Sequence, residues 1–213
     1  MTREDIQKKF QVFILEKGQV PPSVYAFSKE IGIEESEFYE VYNSFHQIEG
    51  DIIKTTIRQT IDQIRSEEVY GNYSVREKLL SFYYTWIEVL KAQRSYLLVA
   101  SSGWEKPLPI RKNVVLTDAC YTFKDFVQEL LIEGRETREV EQRPIPQIMA
   151  KYPDLIWMMT VGILEFWLTD HSKSFEKTDT LIEKSVNTVF DWMGKSPLDS
   201  LFDLGKFIFQ NRP

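Results

Sequence analysis

One cysteine, Cys120, stands in 213 residues, which excludes an intrachain disulfide. Two histidines, His46 and His171, leave no credible zinc set, and no cofactor is expected. A reducing, cytoplasmic setting fits this usage. Glycine and proline are scarce at nine each, too few for a turn-rich sandwich or a glycine-rich phosphate loop. No apolar run is long enough to span a bilayer: the most apolar stretch, residues 155–168, falls short of roughly 20 residues and contains Glu165. The amino terminus, MTREDIQKKF, is charged and amphipathic where a secretion signal would be continuously apolar. Gly-x-Ser-x-Gly and His-Glu-x-x-His are absent, and Cys120 has no histidine nearby in sequence, so no catalytic residue and no enzymatic activity is expected. A basic surplus is lacking too: 26 Lys and Arg face 32 Asp and Glu, for a net charge of -6. That excludes a protein that coats nucleic acid without specificity, while leaving room for a site-specific reader.

What the chain has is apolar content of 43% and aromatic content of 14%, enough to bury a substantial core. Its patterning is helical throughout. Thr2 with Asp5 predicts a cap, and Ile6, Phe10, Phe13 and Ile14 follow at helical spacing up to Gly18. Pro21 and Pro22 sit where a second helix starts, with Val24, Phe27, Ser28 and Ile31 as its inner face and Gly32 as its end. A third short stretch carries Phe38, Tyr39, Val41 and Tyr42 among Glu34, Glu35, Glu37 and Glu40. Two short helices around a glycine turn form a helix-turn-helix pattern. A long helix from about 46 to 66 repeats isoleucine at 48, 52, 57, 61 and 64.

Val69 to Ser74 breaks the pattern at Gly71 and Asn72, and Ser74 with Glu77 forms a capping box for the next helix. Further helices are expected at about 74–102, 112–134, 145–151, 153–172, 180–193 and 197–209. The organisation read from the sequence is a module at 1–48, a connecting helix at 46–66, and a larger helical domain at 74–213.

Glu16 and Gly18, Ser23 with Val24 and Phe27, Ile31-Gly32-Ile33, Phe38-Tyr39, Tyr42, Ser44 and Ile48 fall in an ungapped order from Gly18 onward. Over approximately Ile6 to Ile48 this order resembles the TetR family of one-component transcriptional regulators. The resemblance implies an all-α fold, a three-helix helix-turn-helix module joined by a long helix to a larger helical bundle that binds a ligand and dimerises. It implies a ligand-responsive regulator that binds operator DNA as a homodimer, with Ser23, Glu34, Glu35, Ser36, Glu37, Tyr39, Glu40, Tyr42 and Ser44 as the DNA-facing set. Two departures stand out: four glutamates on the recognition helix, and Phe45 where the family usually has lysine. Residues 1–65 carry eight Lys and Arg against eleven Asp and Glu. Carboxylates are repelled by phosphates, although one or two can read cytosine. A second reading therefore stays open, a TetR-fold protein that binds an apolar or lipid ligand and has lost DNA binding.

In the larger domain, Tyr83, Trp86, Tyr96, Trp104, Phe123, Phe126, Trp157 and Met158 are candidates to line a pocket for a small apolar or aromatic ligand, or are plain core. Eleven of the fourteen residues at 155–168 are apolar, so that helix needs cover on more than one side. Leu164, Trp167, Leu181, Ser185, Val186, Val189 and Phe190 are candidates for a four-helix dimer interface, or finish the monomer core. Residues 197–209 form an amphipathic segment expected to dock on its own domain. Membrane contact is the lesser alternative, since Asp199, Asp203 and one Lys206 make no basic face.

Overall fold

The structure, a computed structural model, describes residues 1–104, 115–141 and 150–194. Among the described residues it holds nine α-helices and no strand. They are α1 (Arg3–Lys17), α2 (Val24–Ile31), α3 (Glu35–Val41), α4 (Phe45–Arg65), α5 (Val75–Lys91), α6 (Arg94–Ala100), α7 (Thr117–Glu136), α8 (Tyr152–Thr169) and α9 (Glu176–Met193). The all-α expectation holds. The chain divides into two units, Met1–Gln63 with Thr85–Phe123 and Ile64–Tyr84 with Lys124–Pro213, so α4, α5 and α7 contribute to both.

In the first unit, the Asp5 backbone N–H donates to Thr2 Oγ1 at 3.2 Å and the Thr2 N–H to Asp5 Oδ2 at 3.1 Å, the reciprocal cap that starts α1. Ile6, Phe10, Phe13 and Ile14 form its buried face. Ser23 caps α2 by accepting the Ala26 N–H at 3.1 Å. The two prolines thus precede the cap and lie outside the helix. Gly32 ends α2 at φ +77°, a left-handed conformation that glycine adopts without strain. Ile48, Ile52, Ile57, Ile61 and Ile64 are all buried along α4.

In the second unit, Ser74 and Glu77 form the expected box at the start of α5, with bonds of 2.8 and 3.2 Å. Glu139 adds a cap, accepting from the Val75 and Arg76 N–H groups at 3.1 and 3.3 Å. Buried Lys78 pairs with Glu133 at 2.5 Å, and Arg76 Nη2 donates to Asp191 at 3.0 Å. Gly134 lets Val140 approach, since a Cβ there would meet a Val140 methyl at 2.7 Å.

Four expected helix limits are corrected, the helix expected at 112–134 running Thr117–Glu136 with residues 115 and 116 in a turn. The stretch 74–102 is two helices, because Gln93 leaves the helical region at φ -127°, ψ 23°. The Gln93 side-chain oxygen there accepts from Gln11 Nε2 of α1 at 3.0 Å. The helix at 180–193 begins earlier, at Glu176. Buried Asp170 organises the entry by accepting from the Ser172 N–H at 2.8 Å and the Thr178 N–H and hydroxyl at 3.1 and 2.7 Å. Thr180 is an interior residue whose hydroxyl donates to the Glu176 carbonyl at 2.9 Å. The helix at 153–172 ends at Thr169. The expected helix at 197–209, residues 145–149 of the expected short helix and residues 112–114 lie outside the described residues. No helix of the described residues is long and apolar enough to cross a membrane.

Candidate functional site

The helix-turn-helix is held by rings. Phe27 meets Phe10, Phe13, Phe38 and Phe45 edge-on with centroids 5.7 to 6.2 Å apart, and Phe45 stacks on Phe10 at 5.3 Å. Edge-to-face and offset geometries are the favoured ones. Phe45, which stands where lysine is expected, is half-buried and closes the edge of this ring cluster.

Tyr42 is likewise internal. It is buried, its hydroxyl accepts from Gln7 Nε2 at 2.8 Å and donates to Asp51 at 3.2 Å, and the Arg3 guanidinium lies 4.6 Å over its ring. Burial pushes its hydroxyl pKa up. Tyr42, one of the residues expected to face DNA, is thus a buried strut between α1 and α4. Ser44 is half-buried and accepts the Gln47 N–H at 3.3 Å. Ser23, the cap of α2, is exposed.

On α3 the exposed side chains are Glu35, Ser36, Glu37, Tyr39 and Glu40, preceded by exposed Glu34, and Phe38 alone is buried. Glu34, Glu35 and Glu37 gather at the helix start, where the macrodipole favours negative charge. Glu37 also turns back to accept the Glu34 N–H at 3.4 Å. The module's cations are largely engaged internally: Arg3 with Asp51 at 2.9 Å, Lys17 with Glu30 at 3.1 Å, Lys54 with Asp118 at 3.7 Å, and Lys9 with the Ile31 carbonyl at 3.1 Å. Lys8, Lys29 and Arg58 remain exposed.

Beside this module the first unit contains a cleft of about 420 Å³. Val20, Val24, Phe45 and Ala100 line it with Glu49, and Ser23, Asn43, Ser44 and His46 are also in its wall. Glu49 is 3% exposed, and its Oε2 accepts from Trp104 Nε1 at 3.2 Å. Burial pushes the Glu49 carboxyl up to about 7, with the Trp104 hydrogen bond pulling the other way. Sequence reasoning missed Glu49. The available signal was a carboxylate one helical turn before buried Ile53 and two before buried Thr56.

The aromatic ligand candidates divide between the units. Trp86, Tyr96, Trp104 and Phe123 belong to the first, and Tyr83, Phe126, Trp157 and Met158 to the second. Trp86 is buried with its Nε1 donating to Thr56 at 2.9 Å, and Phe123 is fully buried. Tyr96 is buried with a hydroxyl that finds no partner among the described residues. Tyr83 is buried with its hydroxyl 2.8 Å from that of Thr160, and Phe126 packs on Phe82 at 5.4 Å. Trp157 is half-buried and Met158 exposed.

Of the interface candidates, Leu164, Trp167, Val186 and Phe190 are buried within the subunit, while Leu181, Ser185 and Val189 are half-exposed. The outward face of α8 is instead Leu155, Met158, Gly162 and Phe166, at helical spacing, and Trp192 stands exposed on α9. Among the described residues no three His, Cys, Asp or Glu side chains gather in a way that could hold a metal ion.

A family model described as the tetracyclin repressor-like C-terminal domain matches residues 78–208. A solved structure from Shewanella sp. PV-4, described as a candidate TetR family transcription regulator, is similar with a TM-score of 0.54 at 14% identity. That likeness covers 89% of this chain and 96% of the other. No curated protein matches the chain by sequence.

Proposed function

The chain belongs to the tetracyclin repressor-like (TetR) family, and from that premise we propose that it is a ligand-responsive transcription regulator which reads operator DNA as a homodimer. The observation that carries this reading is the complete helix-turn-helix, with α2 capped by Ser23, a turn at Gly32, and α3 anchored by Phe38 so that Ser36 and Tyr39 face outward. Ser23, Ser36 and Tyr39 supply hydroxyls for phosphate and base edges. Exposed Lys8, Lys29 and Arg58 supply the cations left for the backbone. Dimerisation through α8 and α9 would cover Leu155, Met158, Gly162 and Phe166. A small apolar or aromatic effector fits the aromatic content of the larger region. The regulator works where its DNA is, in the cytoplasm, and carries out no catalytic step.

A second reading, an apolar-ligand or lipid-binding protein without an operator, is favoured by one observation. The exposed side of the recognition helix carries Glu35, Glu37 and Glu40, while Arg3, Lys17 and Lys54 are spent on internal ion pairs. A salt-dependent binding assay on the chain's own upstream DNA separates the two. Submicromolar specific binding at moderate salt supports the regulator and excludes the second reading, and absence of binding even at low salt refutes the regulator. Organic extraction of the purified protein tests the lipid arm, where an empty extract counts against it.

A further inference from the structure

Two carboxylates are buried among the described residues, Asp170 and Glu49. Asp170 is saturated by the backbone and hydroxyl donors of Ser172 and Thr178. Glu49 is not. Among the described residues its one hydrogen bond comes from Trp104 Nε1, and no Lys or Arg pairs with it. A carboxylate offers about four lone-pair sites, and leaving a buried charge without a counter-charge is costly. Glu49 also lines a cleft walled on one side by the apolar Val20, Val24, Phe45 and Ala100 and elsewhere by the polar Ser23, Asn43, Ser44 and His46. The cleft volume, about 420 Å³, falls in the range of small-molecule sites.

We propose that this cleft binds a small organic amine, its ammonium group held by the Glu49 carboxylate and its apolar body against Val20, Val24 and Ala100. The chemistry selects this class. An anion would be repelled by Glu49. A neutral alcohol would gain one ordinary hydrogen bond, whereas an ammonium makes charge-assisted bonds to a carboxylate that water does not reach freely. A metal ion would need further ligands, and no metal-binding cluster exists among the described residues. The carboxyl, held near neutral titration by burial, is drawn into its charged form by such a guest.

The position of the cleft gives the guest a lever. Its wall runs from Val20 and the Ser23 cap of α2, through Asn43 and Ser44 between α3 and α4, to Ala100 at the end of α6 and Gly103 beyond it. An occupant therefore touches the segments that precede α2 and follow α3. Any ligand that prefers one arrangement of those segments biases the placement of the recognition helix.

The test is a calorimetric titration of the full chain with cyclohexylamine and benzylamine, against cyclohexanol and benzyl alcohol as uncharged isosteres. Tryptophan indole N–H resonances are followed in parallel. The expected result is saturable one-to-one binding of an amine, about tenfold or more tighter than its alcohol, with the Trp104 indole resonance moving. Glu49→Gln keeps an acceptor for Trp104 and is expected to erase the preference for amine over alcohol. Val20→Phe fills the cleft, leaves Glu49 in place and is expected to abolish amine binding in a folded chain. Absence of binding by both amines, equal binding of amine and alcohol, or an unchanged preference in Glu49→Gln overturns the proposal. The titration contains no DNA, so its failure is distinct from any failure of operator reading.

Discussion

The buried Glu49 carboxyl makes the stability of the module depend on pH in a direction opposite to that of ordinary surface acids. In the unfolded chain this group releases its proton near 4.5, and in the folded chain it does so at about 7. Between those values the folded state holds a proton that the unfolded state has lost, so stability falls as pH rises through the window and levels off above it. At about 1.36 kcal/mol per pH unit of displacement, the full loss is roughly 3 kcal/mol. For a chain of this size that is on the order of 6 to 12 °C in Tm. The perturbation is Glu49→Gln, which keeps the Trp104 bond and removes the titration. Thermal unfolding of both proteins from pH 4.5 to 8, followed by far-ultraviolet circular dichroism, should give a falling Tm for the parent and a flatter profile for the variant. The two should differ most above pH 7. Parallel profiles would refute the account, because they would mean that Glu49 is as well solvated or paired when folded as when unfolded.

Phe27→Ala removes the ring against which four other phenylalanines pack, and should destabilise the module by roughly 3–5 kcal/mol in urea unfolding. Asp170 behaves oppositely to Glu49. Burial raises its pKa, but the hydrogen bonds from Ser172 and Thr178 outweigh burial and hold it well below the ordinary range. Its contribution is present above the unfolded value of 3.8 and lost as pH falls further, so Asp170→Asn should flatten the acid limb of a Tm profile. If α8 dimerises, Phe166→Glu should weaken self-association by roughly thirtyfold or more, as for a central apolar anchor, measured by light scattering after gel filtration. Glu35→Lys combined with Glu40→Lys should raise low-salt affinity for DNA and steepen its logarithmic salt dependence by about 0.9 for each additional phosphate neutralised. An unchanged slope would show that the outer face of α3 does not approach DNA.

Much of the fold could be read from local chemistry. Thr2 with Asp5, Ser74 with Glu77 and the glycines at 18 and 32 mark helix ends because capping is a contact between near neighbours in sequence. The break at Gln93 carries no such mark. It contains neither glycine nor proline, and its side chain is held by Gln11, a residue distant in sequence. Thr180 followed by Glu183 has the spacing of a capping box, yet the helix starts a turn earlier, at Glu176, with buried Asp170 bonding the Thr178 N–H. Site residues were harder for the same reason. That Tyr42 points inward depends on Gln7 and Asp51, and that Phe45 replaces a lysine follows from the ring of Phe10 it covers. The exposure of Met158 and the burial of Leu164 on one helix depend on which of its sides α9 occupies. Periodicity alone gives the stripe but not its partner.

Phe38 is the only fully buried side chain of the recognition helix. Apart from the Glu37 bond to the Glu34 N–H and the Tyr39 ring edge-on to Phe38, the outer residues of α3 can be exchanged with stability changes of the size expected for solvent-exposed positions. Such an attachment uncouples what the helix displays from what holds it in place. Glu34 and Glu37 also serve the start of the helix, whereas the outer position of Glu40 could carry an acidic, a neutral or a basic side chain on the same aromatic support. The attachment also makes α3 an unusually clean place for charge substitution, since a change in binding there can be interpreted without first correcting for a change in fold.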